Sequence, residues 1–413
     1  MTLPEPKKEV VAFSKRHSPL GLAAIARMAF ERQDLAPLKA GLVARLCNDA
    51  DDAHSWYDLS IIEHMGGDRE TGLALQALAL RRQRCFRSPP ANDARPLRLL
   101  ALSAPGDFMA NTPLEFLVER SGVELQTFYI MPDEDFPSEI PDHDVAFVAV
   151  AEMDANRAIL QKIAWATSFW AHPLINRPHY IARLTRDGVW RLLHDVAGVV
   201  FPVNLRIKRD RLSDIACGAA PLPQMLRRGG FPIIARPAGS HAGEGLARID
   251  DRAALANFLR GQRASDFYIA AFVDYRSEDG LFRKCRIALI DAVPYAVHMA
   301  ISKNWMVHYL NADMIDNEGN RAEEARFMEE FQENFAARHA GALKEISWRS
   351  GLDYMLLDCA ETRQGELLIF ETGTAMIVHS LDSAGVFSYK RPHMQTIFDA
   401  FERLLQSRAQ RGD

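Results

Sequence analysis

Three short apolar runs, LRLLALSA (97–104), VELQTFYIM (123–131) and VAFVAVA (145–151), constrain this chain most. Their length and apolar content read as strands. NTPLEFLVERSG, between the first two, reads as a helix. Strands alternating with helices imply a parallel α/β sheet. Upstream, LGLAAIARMAF, APLKAGLVARL, AHSWYDLSIIEHM and TGLALQALALRRQRCF contain no interior break and carry apolar residues at three- and four-residue spacing, which predicts helices over 20–87. GGDRE (66–70) reads as a helix–helix turn. Trp56, Leu59, Ser60, Ala74 and Leu78 faintly resemble a tetratricopeptide repeat, but stacked repeats need about three copies and this stretch offers one or two, so a plain helical bundle is the simpler expectation. The polar, proline-rich SPPANDARP (88–96) is the expected boundary between helices and sheet.

From about residue 199 the pattern becomes α+β. VVFPVNLRI, FPIIARP, FYIAAFV, KCRIALI and PYAVHMAI read as strands, and RAEEARFMEEFQENFAARHAGALKEISWRSG (321–351) as one charged helix. DYMLLDCA and ELLIFE flank ETRQG, a turn-rich gap suited to a hairpin, and HMQTIFDAFERLLQ closes the chain as a helix. A chain of 413 residues exceeds one ordinary core and suggests roughly two to four domains. Their expected limits are 1–92 (helical), 96–176 (α/β), 177–275 and 276–413.

The formal net charge of −5 gives no global signal for nucleic acid or an anionic membrane. Five scattered cysteines without a CxxC argue against a disulfide framework or a zinc module and fit a reducing cytosol. MTLPEPKKEV has no apolar core of a secretory signal, and no apolar run nears the ~20 residues of a bilayer crossing. A cytoplasmic protein is therefore expected, with the helices offering a surface to a protein partner and a homodimer compatible with the sequence.

Two segments carry chemistry. In FPIIARPAGSHAGEGLARI (231–249) a strand ends at Arg236 and Pro237, and Gly239, Ser240, His241, Gly243 and Gly245 follow before apolar residues return. Glycines there allow φ > 0 and close approach, so backbone N–H groups can meet anionic oxygen. The loop is neither a Walker A sequence nor a dinucleotide fingerprint, and a long hairpin with a flexible tip is the bland alternative. In DYMLLDCAETRQGELLIFETGTAM (353–376), Asp358 and Glu371 each close an apolar run, where a carboxylate is costly unless it meets a cation. Magnesium or a salt bridge would serve.

The order of these parts resembles the ATP-grasp superfamily, especially the branch of glutathione synthetase, D-alanine–D-alanine ligase and the ribosomal-protein glutamate ligase, over roughly residues 97–405. The resemblance implies an α/β and α+β fold, with two subdomains clasping ATP behind a parallel α/β pre-domain and the helical region. It implies ATP and Mg2+ as cofactors and an ATP-dependent ligase that activates a carboxylate as an acyl phosphate and joins it to an amine or similar nucleophile on a small molecule or peptide. By position, Gly239, Ser240, His241, Gly243 and Gly245 would form the loop over the phosphates, and Arg236 stands where the family has a phosphate-binding lysine. Ala271, Phe272 and Val273 match the adenine-holding hinge. Arg286 matches the arginine facing the γ-phosphate and acyl phosphate, and Asp358 and Glu371 match magnesium-binding carboxylates. Departures are the third metal ligand, replaced by Gly373 and left open among Thr372, Thr374, His379 and water; the hinge acid, replaced by Ala271; and the second lysine, absent at Gly188, where Arg183 or Arg186 would serve. In HMAISKNWMVHYLNADM (298–314), Lys303 is expected to help neutralise the acyl phosphate, beside His298, His308 and Tyr309. Phosphoryl transfer to a non-carboxylate acceptor and a degenerate nucleotide-binding protein are the alternatives.

Overall fold

A computed structural model describes residues 18–91, 96–222, 226, 230–239, 243–309 and 312–410. The described chain forms two compact units, one running through Ala151, Ala155–His179 and the residues from Thr374 on, the other formed by Glu152–Asp154 and Tyr180–Gly373.

The first unit begins with four helices, α1 (Gly21–Phe30), α2 (Ala36–Asn48), α3 (Ala53–Met65) and α4 (Arg69–Arg82). Asp52 and Asp68 cap α3 and α4, accepting hydrogen bonds from Ser55 N and Thr71 N. The chain then enters β1 (Cys85–Ser88), β2 (Leu97–Ser103), α5 (Leu114–Val118), β3 (Val123–Tyr129), β4 (Val145–Val148), α6 (Arg157–Ala166) and β5 (Leu174–Ile175), with a single helical turn α7 (Pro178–Ile181) beyond. The sheet order is β1-β3-β2-β4-β5, parallel except for β1. The interior strand β4 is buried at every position, as a strand covered on both faces must be.

The stretch around SPPANDARP does not separate two cores. Cys85–Ser88 leaves the helices as an edge strand on β3, Tyr57 of α3 stacks on Phe86 at 4.2 Å, and its hydroxyl meets that of Tyr129 at 3.1 Å. One apolar cluster joins Ile25, Leu46, Ile62 and Leu80 of the helices to Phe86 and Tyr129. Each such side chain withdrawn from water contributes roughly 1.5–3 kcal/mol, so the helices and the sheet share their stabilisation. The α3–α4 pair is a helical hairpin within this layer.

The second unit holds two sheets. Its elements are α8 (Arg186–Leu193), β6 (Val199–Val200), β7 (Leu205–Lys208), α9 (Arg209–Cys217), β8 (Ile233–Pro237), β9 (Ala247–Ile249), α10 (Arg252–Gly261), β10 (Asp266–Ala271), β11 (Phe282–Ile290), β12 (Val293–Ser302), α11 (Glu318–Glu329), α12 (Ala340–Ser350), β13 (Tyr354–Glu361) and β14 (Leu367–Gly373). The antiparallel sheet β7-β10-β8-β9 packs Ile233, Ala235, Phe267 and Ile269 against Leu212 and Ile215 of α9 and Leu255 and Leu259 of α10. The other sheet runs β12-β11-β13-β14-β6 and is antiparallel except where β6 joins β14.

Two expected elements divide. VVFPVNLRI splits around Pro202 into β6 and β7, which join different sheets. The charged helix over 321–351 is interrupted at Gln332–Ala336 by a π-helical turn, where Ala336 N reaches Phe331 O at 2.8 Å. The hairpin around ETRQG is present as β13–β14. From Thr374 the chain re-enters the first unit, so the expected 276–413 domain is divided as well. The last helix, α13 (Lys390–Ala409), buries Met394, Ile397, Phe401 and Leu404 on one face, with Phe401 5.9 Å from Phe147 of β4.

Candidate functional site

Along β11, side chains alternate between faces. Cys285 and Ile287 are buried, while Lys284 and Arg286 share the opposite side. Arg286 lies in register with Asp358 of β13, and Asp358 with Glu371 of β14. The pairing register shifts at Arg286/Ile287 and again at Asp358/Cys359. Two bulges beside one another re-aim side chains locally, a feature that recurs near binding sites.

Asp358 is 2% exposed and holds two cations. Lys284 Nζ stands 2.7 Å from Oδ2, Arg286 Nε 2.8 Å from Oδ1, and Arg286 Nη2 3.1 Å from Oδ2. Burial opposes the charge on Asp358, but Arg286 and Lys284 outweigh it and hold the carboxyl far below the usual carboxylate range. Glu371 accepts a hydrogen bond from Arg186 Nη2 at 2.9 Å.

Arg186 is the first residue of α8, whose cap is Thr185, accepting from Gly188 N at 3.0 Å. A Cβ at 188 would lie 2.2 Å from Arg183 O, so the glycine that displaces the expected lysine is required by the turn. Of the two arginines considered as its substitute, Arg186 joins the cluster, while Arg183 is exposed with its guanidinium 5.9 Å over the Tyr180 ring.

Arg236, on β8 opposite Tyr268 of β10, is 9% exposed. Burial and then the like charge of Arg186 push its pKa down to about 10, and Glu371 opposes them. Arg236 therefore remains a cation at neutral pH. Arg186, Arg236, Lys284 and Arg286 thus surround two carboxylates and leave the group positive by two charges.

The glycine loop reaches this group through His308. Gly243 has φ +77°, and a Cβ there would fall 2.2 Å from His308 Nε2. Burial first, then Lys284, lowers the His308 pKa. Gly239 and Gly245 also take positive φ, at +81° and +64°. Ser240 and His241 lie outside the described residues. Ala271 closes β10, and Phe272 and Val273 follow half-buried. The Arg248 guanidinium lies 4.5 Å over the Phe272 ring, and Trp305 meets that ring edge-on at 5.8 Å.

Other expected roles fall elsewhere. Lys303 is exposed on the bend after β12, and the lysine that joins the cluster is Lys284. The signal for Lys284 was its place two residues from Arg286 on one strand. His298 pairs with Arg286 across β11–β12 and packs 4.7 Å from Tyr309. His379 belongs to the first unit, where its ring meets Phe30 at 5.2 Å and Phe116 at 6.0 Å. All five cysteines are free thiols.

The expected magnesium site can be tested against its donors. Lys284 and Arg286 occupy both oxygens of Asp358, Arg186 engages Glu371, and Gly373 brings no side chain. Among the described residues, no group of three His, Cys, Asp or Glu side chains is placed to hold a metal ion. A divalent ion would have to displace a cation and sit among the others, so this donor set does not fit one.

No family model matches the chain, and no curated protein matches it. Among solved structures it is similar to a RimK-domain ATP-grasp protein from Sphaerobacter thermophilus, at 13% identity and TM-score 0.43, over 75% of this chain and 99% of that one. It is similar also to the VanG D-Ala:D-Ser ligase from Enterococcus faecalis, at 11% identity and TM-score 0.44, over 75% of this chain and all of that one. No helix among the described residues is long and apolar enough to cross a membrane.

Proposed function

We propose that the second unit binds ATP and that the protein is an ATP-dependent ligase joining a carboxylate to an amine or similar nucleophile. The carrying observation is the convergence of Arg186, Arg236, Lys284 and Arg286 on Asp358 and Glu371, beside a glycine loop in close contact at Gly243. Fixed cations and backbone donors suit a triphosphate and the charge that develops as its γ-phosphoryl moves. Arginine adds a planar fork of donors that stays charged. Phe272 and Trp305 offer an aromatic surface suited to a base.

In this reading a carboxylate oxygen of the substrate attacks the γ-phosphorus and ADP leaves. The nucleophile then attacks the acyl carbon, and phosphate departs with the former carboxylate oxygen. Arg286 and Lys284 are the residues assigned to the acyl phosphate, and Arg236 and Arg186 to the polyphosphate. The test is a screen for substrate-dependent ADP release over amino acids, short peptides and small carboxylic acids, followed by oxygen-18 labelling of the carboxylate that responds. Label in released phosphate is expected. Turnover without label transfer would leave phosphoryl transfer to another acceptor as the reaction. The double capping of Asp358 favours a second reading, a nucleotide-binding protein without turnover. ATP binding without ADP release across the screen would select it.

A further inference from the structure

The first unit contains a cavity of about 80 Å³ beneath the helices, at the carboxyl ends of β2 and β3. In an open parallel sheet this end of the strands is the usual place for a ligand. Ser103 ends β2 and Tyr129 ends β3, and both line the space with Glu115 of α5.

Two of the lining side chains carry polar atoms that nothing among the described residues satisfies. Thr112 is 4% exposed and its Oγ1 has no hydrogen-bond partner. His64 hydrogen-bonds the Ser60 backbone, while its Nε2 is buried without a partner. Burial holds this ring neutral, so Nε2 is left as an acceptor. Such orphaned atoms are rare in folded proteins and call for an occupant. Hydrating water is the simplest one, at about 10–15 Å³ each. By that measure the cavity also holds a ligand of about six non-hydrogen atoms.

The electrostatics select among ligands. No lysine or arginine lines the cavity among the described residues. Asp107, the other lining carboxylate, is paired with Arg69 at 2.7 Å. Glu115 forms no ion pair among the described residues: it accepts from Ala23 N, at 3.0 Å to Oε2, and from the Leu22 backbone, and the charges that act on it most, Asp58 and Glu119, are negative. Burial and these charges push its pKa up to about 7. A cation would relieve that cost, and a carboxylate would add to it.

We propose that this cavity binds a small primary amine lacking a carboxylate, with its ammonium on Glu115 and a polar end on Thr112 Oγ1 and His64 Nε2. The site lies wholly within the first unit and does not rest on the reading of the second.

The probe is 2-aminoethanol, which has four non-hydrogen atoms and a hydroxyl to donate to Nε2. It is titrated into the full chain by calorimetry at pH 7, in phosphate and in HEPES, with acetate as the opposite-charge control. Saturable binding of 2-aminoethanol and none of acetate is expected. The heats should differ between buffers, because an ammonium that ionises Glu115 displaces its proton. Thr112→Val should weaken binding several-fold, and Glu115→Gln should remove both binding and the buffer dependence. No saturable heat with 2-aminoethanol at tens of millimolar would mean the space holds only water and would overturn the site. Equal binding of acetate, or binding unchanged in both variants, would overturn it too. If Glu115→Gln does not fold, the buffer dependence, the acetate contrast and Thr112→Val still decide.

Discussion

Replacing Asp358 by asparagine separates the two roles that carboxylate could have. Its side chain is 3% exposed, against 16% for Lys284 and 21% for Arg286. Removing one partner of a buried ion pair typically costs about 3–5 kcal/mol, because the other charge stays buried and unpaired. The two cations keep some access to water, so the lower end, about 3 kcal/mol, is expected. The same change raises the net charge of the cluster from two to three. A unit charge at roughly 7 Å in an effective dielectric near 20 is worth about 2 kcal/mol to an anion, and with screening this becomes roughly a tenfold gain in affinity. Urea unfolding gives the first quantity. Calorimetric titration of ATP with EDTA, and again with excess magnesium, gives the second. Asp358→Asn should be less stable and should bind ATP more tightly in EDTA. Tighter binding of wild type with magnesium than without, lost in the variant, would make Asp358 a metal ligand and refute the ion-pair account. A stability loss below about 1 kcal/mol would show that the pairs do not form in solution.

Arg236→Ala should weaken ATP binding at least tenfold, because a buried cation beside Arg186 and Glu371 is removed; unchanged affinity by calorimetry would take Arg236 out of the site. Gly243→Ala should displace the loop, since φ +77° and the approach to His308 Nε2 both exclude a Cβ, and should weaken ATP binding while Gly280→Ala, at an uncrowded turn, does not. The first unit should melt at a higher temperature at pH 5.5 than at pH 8. Glu115 and Asp58, raised to about 7 and about 6, hold protons in the folded state that the unfolded chain releases from about pH 4 upward, so stability falls as pH rises through that window. His64 and His143, lowered by burial, act in the opposite sense. The Glu115 share, on the order of 2–3 kcal/mol, is isolated by Glu115→Gln, which should flatten the profile; an unchanged slope would remove Glu115 as its cause.

The strands were legible because their signal is local. LRLLALSA, VELQTFYIM and VAFVAVA became β2, β3 and β4. The Asp358–Glu371 hairpin was legible for the same reason, as two apolar runs around a turn. Arg286 followed from alternation along one strand. What pairs with what was not legible. Nothing between residues 284 and 358 announces that Lys284 and Arg286 neutralise Asp358, since that depends on the register of β11 against β13. The expected boundary at SPPANDARP is not matched by a break in burial, for a related reason. Proline and polar residues report a break in regular backbone, whereas a domain boundary is a break in shared burial, and Phe86 and Tyr129 carry the burial across.

The start of α1 shows how the first unit's ionisable groups depend on packing rather than on composition. Gly21 takes φ +80°, and a Cβ there would lie 2.5 Å from Glu115 Oε2. Asp58 accepts from Leu20 N at 2.9 Å and Gly21 N at 3.0 Å, while Glu115 accepts from Ala23 N. Two carboxylates therefore take up orphan N–H groups of one helix end. The helix end favours negative charge there by about 0.3–1 kcal/mol, less than burial and mutual repulsion cost these groups, so both carboxyl pKa values rise instead of falling. A helix terminus that should hold anions thus holds two carboxyls with pKa values of about 6 and about 7, where a nearby cation or a small change of pH alters their charge.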